Sequence, residues 1–224
     1  MHITYIHHSA FLAETDSACL LFDYFTGELP PIPAEKPLYV FSSHAHEDHF
    51  SEKIFSIDHP VITYLLSSDI PANRKENIHF LQPCDVWKDE ILSVETFRST
   101  DEGVAFWCKA DGKEIYHAGD LNHWYWEGED EQWNRDMTAA YRAEMARMTG
   151  RKADIAFLPA DPRLGDWFYL GIQDFLQQAD AEKIFPMHFW GDFSVCDRLK
   201  NHPCAENYRD RIVTISEKSQ NISL

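Results

Sequence analysis

The run His44-Ala45-His46-Glu47-Asp48-His49 sets three imidazoles and the Asp48 carboxylate within six residues, directly behind Leu38-Tyr39-Val40-Phe41. Four consecutive apolar residues fit a strand buried on both faces. Ser42-Ser43 then ends the strand, so the histidines project from a loop at its carboxyl end, where sites are usually built. Neutral imidazole nitrogens with an anionic oxygen match the preferences of Zn²⁺ or another borderline first-row divalent ion. In a tight turn, alternate positions face one centre while the next pair faces a neighbouring one. Two ions about 3.5–4 Å apart are a recognised hydrolytic arrangement.

The chain ahead of this loop reads as short β-runs at Ile3–Ile6, Ala10–Ala13 and Ala18–Phe22, the last ending at Asp23. Gly27 to Pro37, with four prolines, is a loop that cannot join a central ladder. Further β-candidates are Val61–Leu65, Ile91–Phe97 and Val104–Lys109, the last joined through Asp111-Gly112 to Glu114-Ile115-Tyr116-His117 as a hairpin. The texture then changes. Trp133, Met137, Tyr141, Met145 and Met148 recur at helical spacing, which predicts an amphipathic helix on a sheet, stopped near Gly150. Asp154–Leu158 and Lys183–Pro186 read as strands, Ile172–Ala179 as a helix and Ile212–Ile215 as a closing strand. With no repeat or long linker, the expectation is one domain over residues 1–224.

Composition narrows the function classes. At 44% hydrophobic and 14% aromatic residues the chain is not of disordered type, despite a formal net charge of −17. That charge argues against nucleic acid as partner, because phosphate binding needs a surplus of Lys and Arg. No stretch approaches the roughly 18 apolar residues of a membrane helix, and Met1-His2-Ile3-Thr4-Tyr5 lacks a basic segment followed by an apolar one. The reading is a cytoplasmic protein with no membrane partner. Five cysteines at scattered spacings, with no C-x-x-C pair, read as reduced structural thiols.

Two later elements repeat the arrangement of the histidine loop. His117-Ala118-Gly119-Asp120 and Phe185-Pro186-Met187-His188 each place a ligand-capable residue just after an apolar strand. A lone Asp after Gly is usually a turn residue, and a lone His a satisfied core or surface group. Three such positions at corresponding strand ends point instead to a common cation.

With His-x-His-x-Asp-His followed by a downstream acid and a final histidine, the sequence resembles the metallo-β-lactamase superfamily over nearly its whole length. The resemblance implies an α/β fold, a four-layer αββα sandwich of two mixed β-sheets flanked by helices, with metal at one edge between the sheets. His44 and His46 match ligands of a first metal, Asp48 and His49 those of a second, Asp120 the bridging carboxylate and His188 the last ligand of the second site. Asp23 matches an acid that orients the histidine loop, and His8 resembles a histidine that approaches the site in related intracellular hydrolases. The His-Ala-Gly-Asp element is similar to that of a group containing sugar-lactone hydrolases. One departure stands out. The family supplies a further histidine to the first metal ahead of a Gly-Val strand, whereas Phe97-Arg98-Ser99-Thr100-Asp101-Glu102-Gly103-Val104 has none, and His59 and His79 lie too early to align. Asp101, or a hydroxyl of Ser99 or Thr100, is the expected substitute, and the second site is expected to fill first, so that one or two ions are held.

The function this implies is hydrolysis of an ester, lactone or phosphodiester of a small molecule by a metal-bound hydroxide. Asp48 and Asp120 then have catalytic parts, Asp48 accepting a hydrogen bond from the nucleophile, with no cofactor beyond the ion. Asn122, His123, Trp124 and Trp126 are candidates for a pocket wall, and Arg163 pairs either with an anionic substrate group or within its own loop. His117 should face the opposite side of its strand, in a packing role or supporting the ligands from behind, rather than ligating. Two other classes compete. A degenerate binding or regulatory protein is consistent with the missing histidine. Di-iron oxidoreductases of the superfamily resemble His-x-Glu-x-Asp-His and carry a flavin module, whereas His46 stands here in place of that Glu.

Overall fold

A computed structural model describes residues 1–224. Its strands are β1 (His2–His7), β2 (Ala10–Glu14), β3 (Cys19–Phe22), β4 (Leu38–Ser42), β5 (Ile62–Ser67), β6 (Ile78–Leu81), β7 (Val86–Lys88), β8 (Leu92–Arg98), β9 (Val104–Ala110), β10 (Lys113–His117), β11 (Lys152–Pro159), β12 (Asp180–Met187) and β13 (Asn221–Ser223). They form a seven-stranded sheet ordered β13-β1-β2-β3-β4-β5-β6 and a six-stranded sheet ordered β12-β11-β10-β9-β8-β7. Three α-helices follow the β-rich first half: α1 (Glu131–Ala146), α2 (Leu170–Gln178) and α3 (Ser194–Asn201). None is long and apolar enough to cross a membrane.

The apolar run that precedes the histidines shows why the sheets stack. In β4, Tyr39 and Phe41 point into the large core between the sheets, while Leu38 and Val40 join a smaller cluster on the outer face. β3 alternates the same way, Leu20 and Phe22 inward, Cys19 and Leu21 outward. Aromatic rings bridge the layers, Phe11 to Phe157 at 4.3 Å and Phe41 to Phe106 at 5.1 Å between centroids. Truncating such a buried ring removes about 3–5 kcal/mol of stability. α2 packs on α1, β11 and β12. The outer face of the first sheet is covered more thinly, by Ile54 of a 3-10 turn at Glu52–Ser56 and by Leu29, Ile32 and Phe55. All five cysteines are free thiols.

The β9–β10 hairpin turns through Asp111 and Gly112, both at positive φ, 52° and 72°. That pairing suits the twist of a two-residue hairpin loop. Three expectations are corrected. Ile212–Ile215 is not a strand: Ile212 makes one parallel bridge to Ile184, after which the chain leaves β12 and pairs Asn221–Ser223 with β1. Burial of Ile212 and Ile215 in the core produces the apolar pattern without a ladder. Second, the sequence reading passed over β6, β7 and α3, which are short and interleaved with polar residues. Third, the stripe on α1 divides. Tyr141, Met145 and Met148 are buried, but Met137 is half-buried and Trp133 is 40% exposed, so the helix overhangs the sheet at its N-terminal end.

Strand direction decides where a site can form. β1 and β3 are each antiparallel to β2, and β3 runs parallel to β4. In the second sheet β8 and β10 flank β9 antiparallel, and β10, β11 and β12 run parallel. β5 and β6 continue parallel to β4, so the carboxyl ends of nine strands, five from one sheet and four from the other, open on one edge, the usual place for ligands in parallel sheets. Backbone bonds tie the layers there: His188 N–H donates to the His8 carbonyl (3.3 Å) and Val104 N–H to that of Ser43 (2.9 Å). Gly103 permits the second approach, because a Cβ on it would lie 1.9 Å from the Ser43 oxygen.

Candidate metal centre

Each candidate ligand leaves one of those strand ends. His8 follows β1, Asp23 follows β3, the 44–49 loop follows β4, Asp120 follows β10, Asp161 follows β11 and His188 follows β12. His8, Asp23 and His188 hold left-handed backbone conformations, with φ of 56°, 45° and 62°. Such conformations cost of order 1–3 kcal/mol each and cluster at functional sites.

The donors fall into two adjoining groups. His8, Asp48, His49 and His188 form one, and His44, His46 and Asp120 the other, the ligand atoms of each lying within 4.8 Å of one another. Asp120 links them. Its Oδ1 lies 3.2 Å from His49 Nε2 and 3.4 Å from His188 Nε2, while Oδ2 lies 3.7 Å from His44 Nε2. Asp48 Oδ2 is 3.4 Å from His8 Nε2 and 3.9 Å from His188 Nε2.

The chemistry of these atoms fits a divalent cation. His8 Nε2, His44 Nε2, His49 Nε2, His188 Nε2 and Asp120 Oδ1 are buried and have no hydrogen-bond partner. Buried polar atoms without partners are rare and call for an explanation. Donors around a tetrahedral ion with bonds of 2.0–2.1 Å stand about 3.3 Å apart, close to the separations seen here.

In three of these four rings the opposite nitrogen is tied down, as ligating histidines require, whereas His8 Nδ1 is buried without a partner. His49 Nδ1 donates to Asp23 Oδ2 (2.7 Å) and His188 Nδ1 to Asp161 Oδ2 (2.9 Å). Ser43 gives its only hydroxyl proton to Asp23 Oδ2 (2.8 Å), so its oxygen must accept from His44 Nδ1 (3.0 Å). In all three rings the lone pair is thereby left on Nε2, facing the centre. Asp23 Oδ1 also accepts from the Ser43 backbone N–H at 2.7 Å. One fully buried carboxylate thus sets two of the loop's three histidines, His49 directly and His44 through Ser43.

Electrostatics favour positive charge at this point. Burial alone would raise the Asp120 carboxyl, but His49 and His188 outweigh it and hold the pKa well below the carboxylate range. Burial would likewise depress His49, and the carboxylates of Asp120 and Asp23 overcome it, raising its pKa well above the usual value. The same anions that favour a proton there favour a cation in its place. His8 and His44, by contrast, are pushed down to about 4, chiefly by burial, and so stand neutral with a lone pair to give.

The remaining candidates are placed as follows. Trp124 and Trp126 line a cleft of about 250 Å³ beside Asp120. Asn122 and His123 are buried, and His123 turns away to Asp174 (3.1 Å) and Thr138 (2.8 Å). Arg163 pairs within its own loop: its Nε and Nη2 bind both oxygens of Asp161 at 2.5–3.0 Å. His117 donates from Nε2 to the Ser9 carbonyl (2.9 Å) and stacks on Phe22 at 4.8 Å, in a packing role. Asp101 lines the cleft but stands outside both donor groups. The Ser99 and Thr100 hydroxyls are engaged with the Asp101 N–H (3.1 Å) and the Asn122 carbonyl (2.6 Å). The carboxylate that does approach His46 is Glu102, at 3.6 Å with both groups exposed. Sequence reasoning did not single out Glu102 or Asp161. Asp161 stands directly after a buried strand, as Asp23 does, and that position was its available signal.

Comparison with known proteins accords with this geometry. Residues 2–135 match the family described as the β-lactamase superfamily domain. A metal-dependent hydrolase of Opitutus terrae is 28% identical over 218 residues, covering 84% of this chain and 85% of that one. Another from Heliobacterium modesticaldum is 25% identical over 213 residues, covering 84% and 82%. Among solved structures, a metallo hydrolase of Ignicoccus hospitalis superposes with a TM-score of 0.62 at 16% identity, over 99% of this chain and 97% of that one. An isothiocyanate hydrolase from Delia radicum gut bacteria gives 0.62 at 16% identity, over 100% and 99%. These two likenesses speak to the fold. With more than half its length matched to the family, the chain belongs to the β-lactamase superfamily.

Proposed function

We propose that this protein binds divalent first-row metal, zinc in the first instance, at the two donor groups and hydrolyses an ester, lactone or phosphodiester bond of a small molecule. The observation that carries the reading is the set of buried, partnerless nitrogen and oxygen atoms from four separate strand ends, aimed at one point. His8, Asp48, His49 and His188 would hold one ion, His44 and His46 the other, with Asp120 shared. A bound ion there supplies Lewis acidity and brings the pKa of a water toward about 7.

The chain's own residues do the rest. Asp48 is the most accessible donor of its group, its side chain 24% exposed beside a buried His8. Burial alone would raise its carboxyl, but His8, His49 and His188 hold it far below the usual range, so it is an acceptor at neutral pH. It is thus suited to take a hydrogen bond from an attacking water and orient it. Asp23 and Asp161 keep three imidazoles in the required tautomer and orientation. Trp124, between His188 and the cleft, keeps bulk water from that side, its ring 5.4 Å from His188 and its Nε1–H bonded to the Asp120 carbonyl (3.0 Å).

The test begins with chelator-stripped protein and a panel of neutral esters, lactones and an aryl phosphodiester. Activity on at least one member should appear on adding Zn²⁺ or Mn²⁺ and vanish in His188→Ala. Equal turnover by stripped protein, or by metal-loaded His188→Ala, would contradict the proposal.

A further inference from the structure

The cleft beside Asp120 is built largely from side chains that hold no metal. Trp124, Trp126, Trp133 and Met137 supply its apolar wall, and Asp101 and Arg163 its charged edge. Trp133 and Met137 belong to the same helical stripe as the buried Tyr141 and Met145, yet they project past the sheet into this space. Trp133 is 40% exposed and Trp190, close to Arg163, 49% exposed. Large apolar side chains left open together beside a site mark a binding surface.

The charges narrow what can bind. Arg163 is the only cation lining the cleft, and both oxygens of Asp161 already engage it. Its guanidinium lies over the rings of Trp126 (5.6 Å) and Trp190 (5.0 Å), so it serves as a flat wall. Asp101 adds a carboxylate to the same cleft with no cation paired to it, whereas Asp120 is turned to the metal donor groups. A substrate tail carrying its own anion would be repelled. At about 250 Å³ the space lies below the roughly 300–1,000 Å³ that encloses a drug-sized ligand, which suits a single ring.

We propose that this cleft seats an uncharged aromatic ring of the substrate, against Trp126, Trp133 and Met137, while the bond to be cleaved lies at the Asp120 end. The assignment rests on the hydrolase reading for the location of the reacting bond, but the ring seat itself can be tested apart from turnover.

Two measurements on the metal-loaded protein do so. In saturation-transfer NMR, benzyl alcohol should receive saturation on its ring protons from the unmodified protein, and the effect should fall at least about fivefold in Trp133→Ala. That residue is exposed on a helix, so the variant should fold, which circular dichroism verifies. In kinetics, benzyl acetate should be preferred over ethyl acetate by about tenfold or more in kcat/KM, and over 4-carboxybenzyl acetate, whose distal carboxylate would enter the cleft. Trp133→Ala should shrink the benzyl-over-ethyl ratio. Ring binding that depends on Trp133, with no ester cleaved, would uphold the seat and sink the ester reading. Esters cleaved without benzyl preference, ring binding indifferent to Trp133→Ala, or equal cleavage of the carboxylated ester would overturn the seat.

Discussion

The two donor groups share Asp120 and part company in how their other ligands are held. In the group of His8, Asp48, His49 and His188 the three histidines are all buried, and Asp23 and Asp161 lock two of the rings from behind. In the group of His44 and His46, His44 is buried and set through Ser43, but His46 is 47% exposed and its nearest anion, Glu102, is 57% exposed. Fixed donors lose little freedom on closing around an ion, whereas a mobile side chain must be ordered first. The buried group also brings three nitrogens where the open one brings two. Affinity should therefore be unequal, with the ion of the buried group bound first and tighter.

The largest effect should come from the residue that joins the groups. Asp120→Ala removes an oxygen from each side, so bound metal should drop below one ion per chain. Hydrolysis should fall by roughly a thousandfold, equivalent to about 4 kcal/mol of lost charge stabilisation; elemental analysis and kinetics on the same sample check both. Next is Asp161→Ala, which frees His188 Nδ1 and leaves Arg163 without its anion. Removing such a supporting partner weakens metal affinity about 10–100-fold, and calorimetry should place the loss in the tighter binding phase alone. A loss confined to the weaker phase would reverse the assignment of the groups. The smallest effect on the first ion is expected from His46→Ala, which should abolish the weaker phase and leave the tighter one in place.

Much of this centre was legible in the sequence because strand ends announce themselves. An apolar strand with a histidine or aspartate just past its end marked the 44–49 loop, Asp120 and His188, and Asp23 was visible as the acid closing an early strand. The centre's second supporting acid was harder to see. Asp161 lies beside Arg163, whose charge invites a substrate role, and only folding shows the two paired. Glu102 is reached by a loop whose path depends on Gly103 packing against Ser43, a contact between elements that periodicity does not encode. The same limit applies to α1: helical spacing tells which face is apolar, but where the sheet stops decides that Tyr141 is core and Trp133 is cleft wall. Likewise Ile212 and Ile215 are buried in the core with a single bridge, Ile212 to Ile184, and a strand pattern cannot distinguish that from a full ladder.

The inequality of the two groups can be measured directly by titrating stripped protein with Zn²⁺ in a calorimeter, alongside His8→Ala and His46→Ala. Two phases should separate by at least about tenfold in affinity, the step conferred by each 1.4 kcal/mol, with His8→Ala weakening the tight phase and His46→Ala removing the weak one. Two ions bound with equal affinity, or a tight phase that survives His8→Ala untouched and disappears in His46→Ala, would contradict the account.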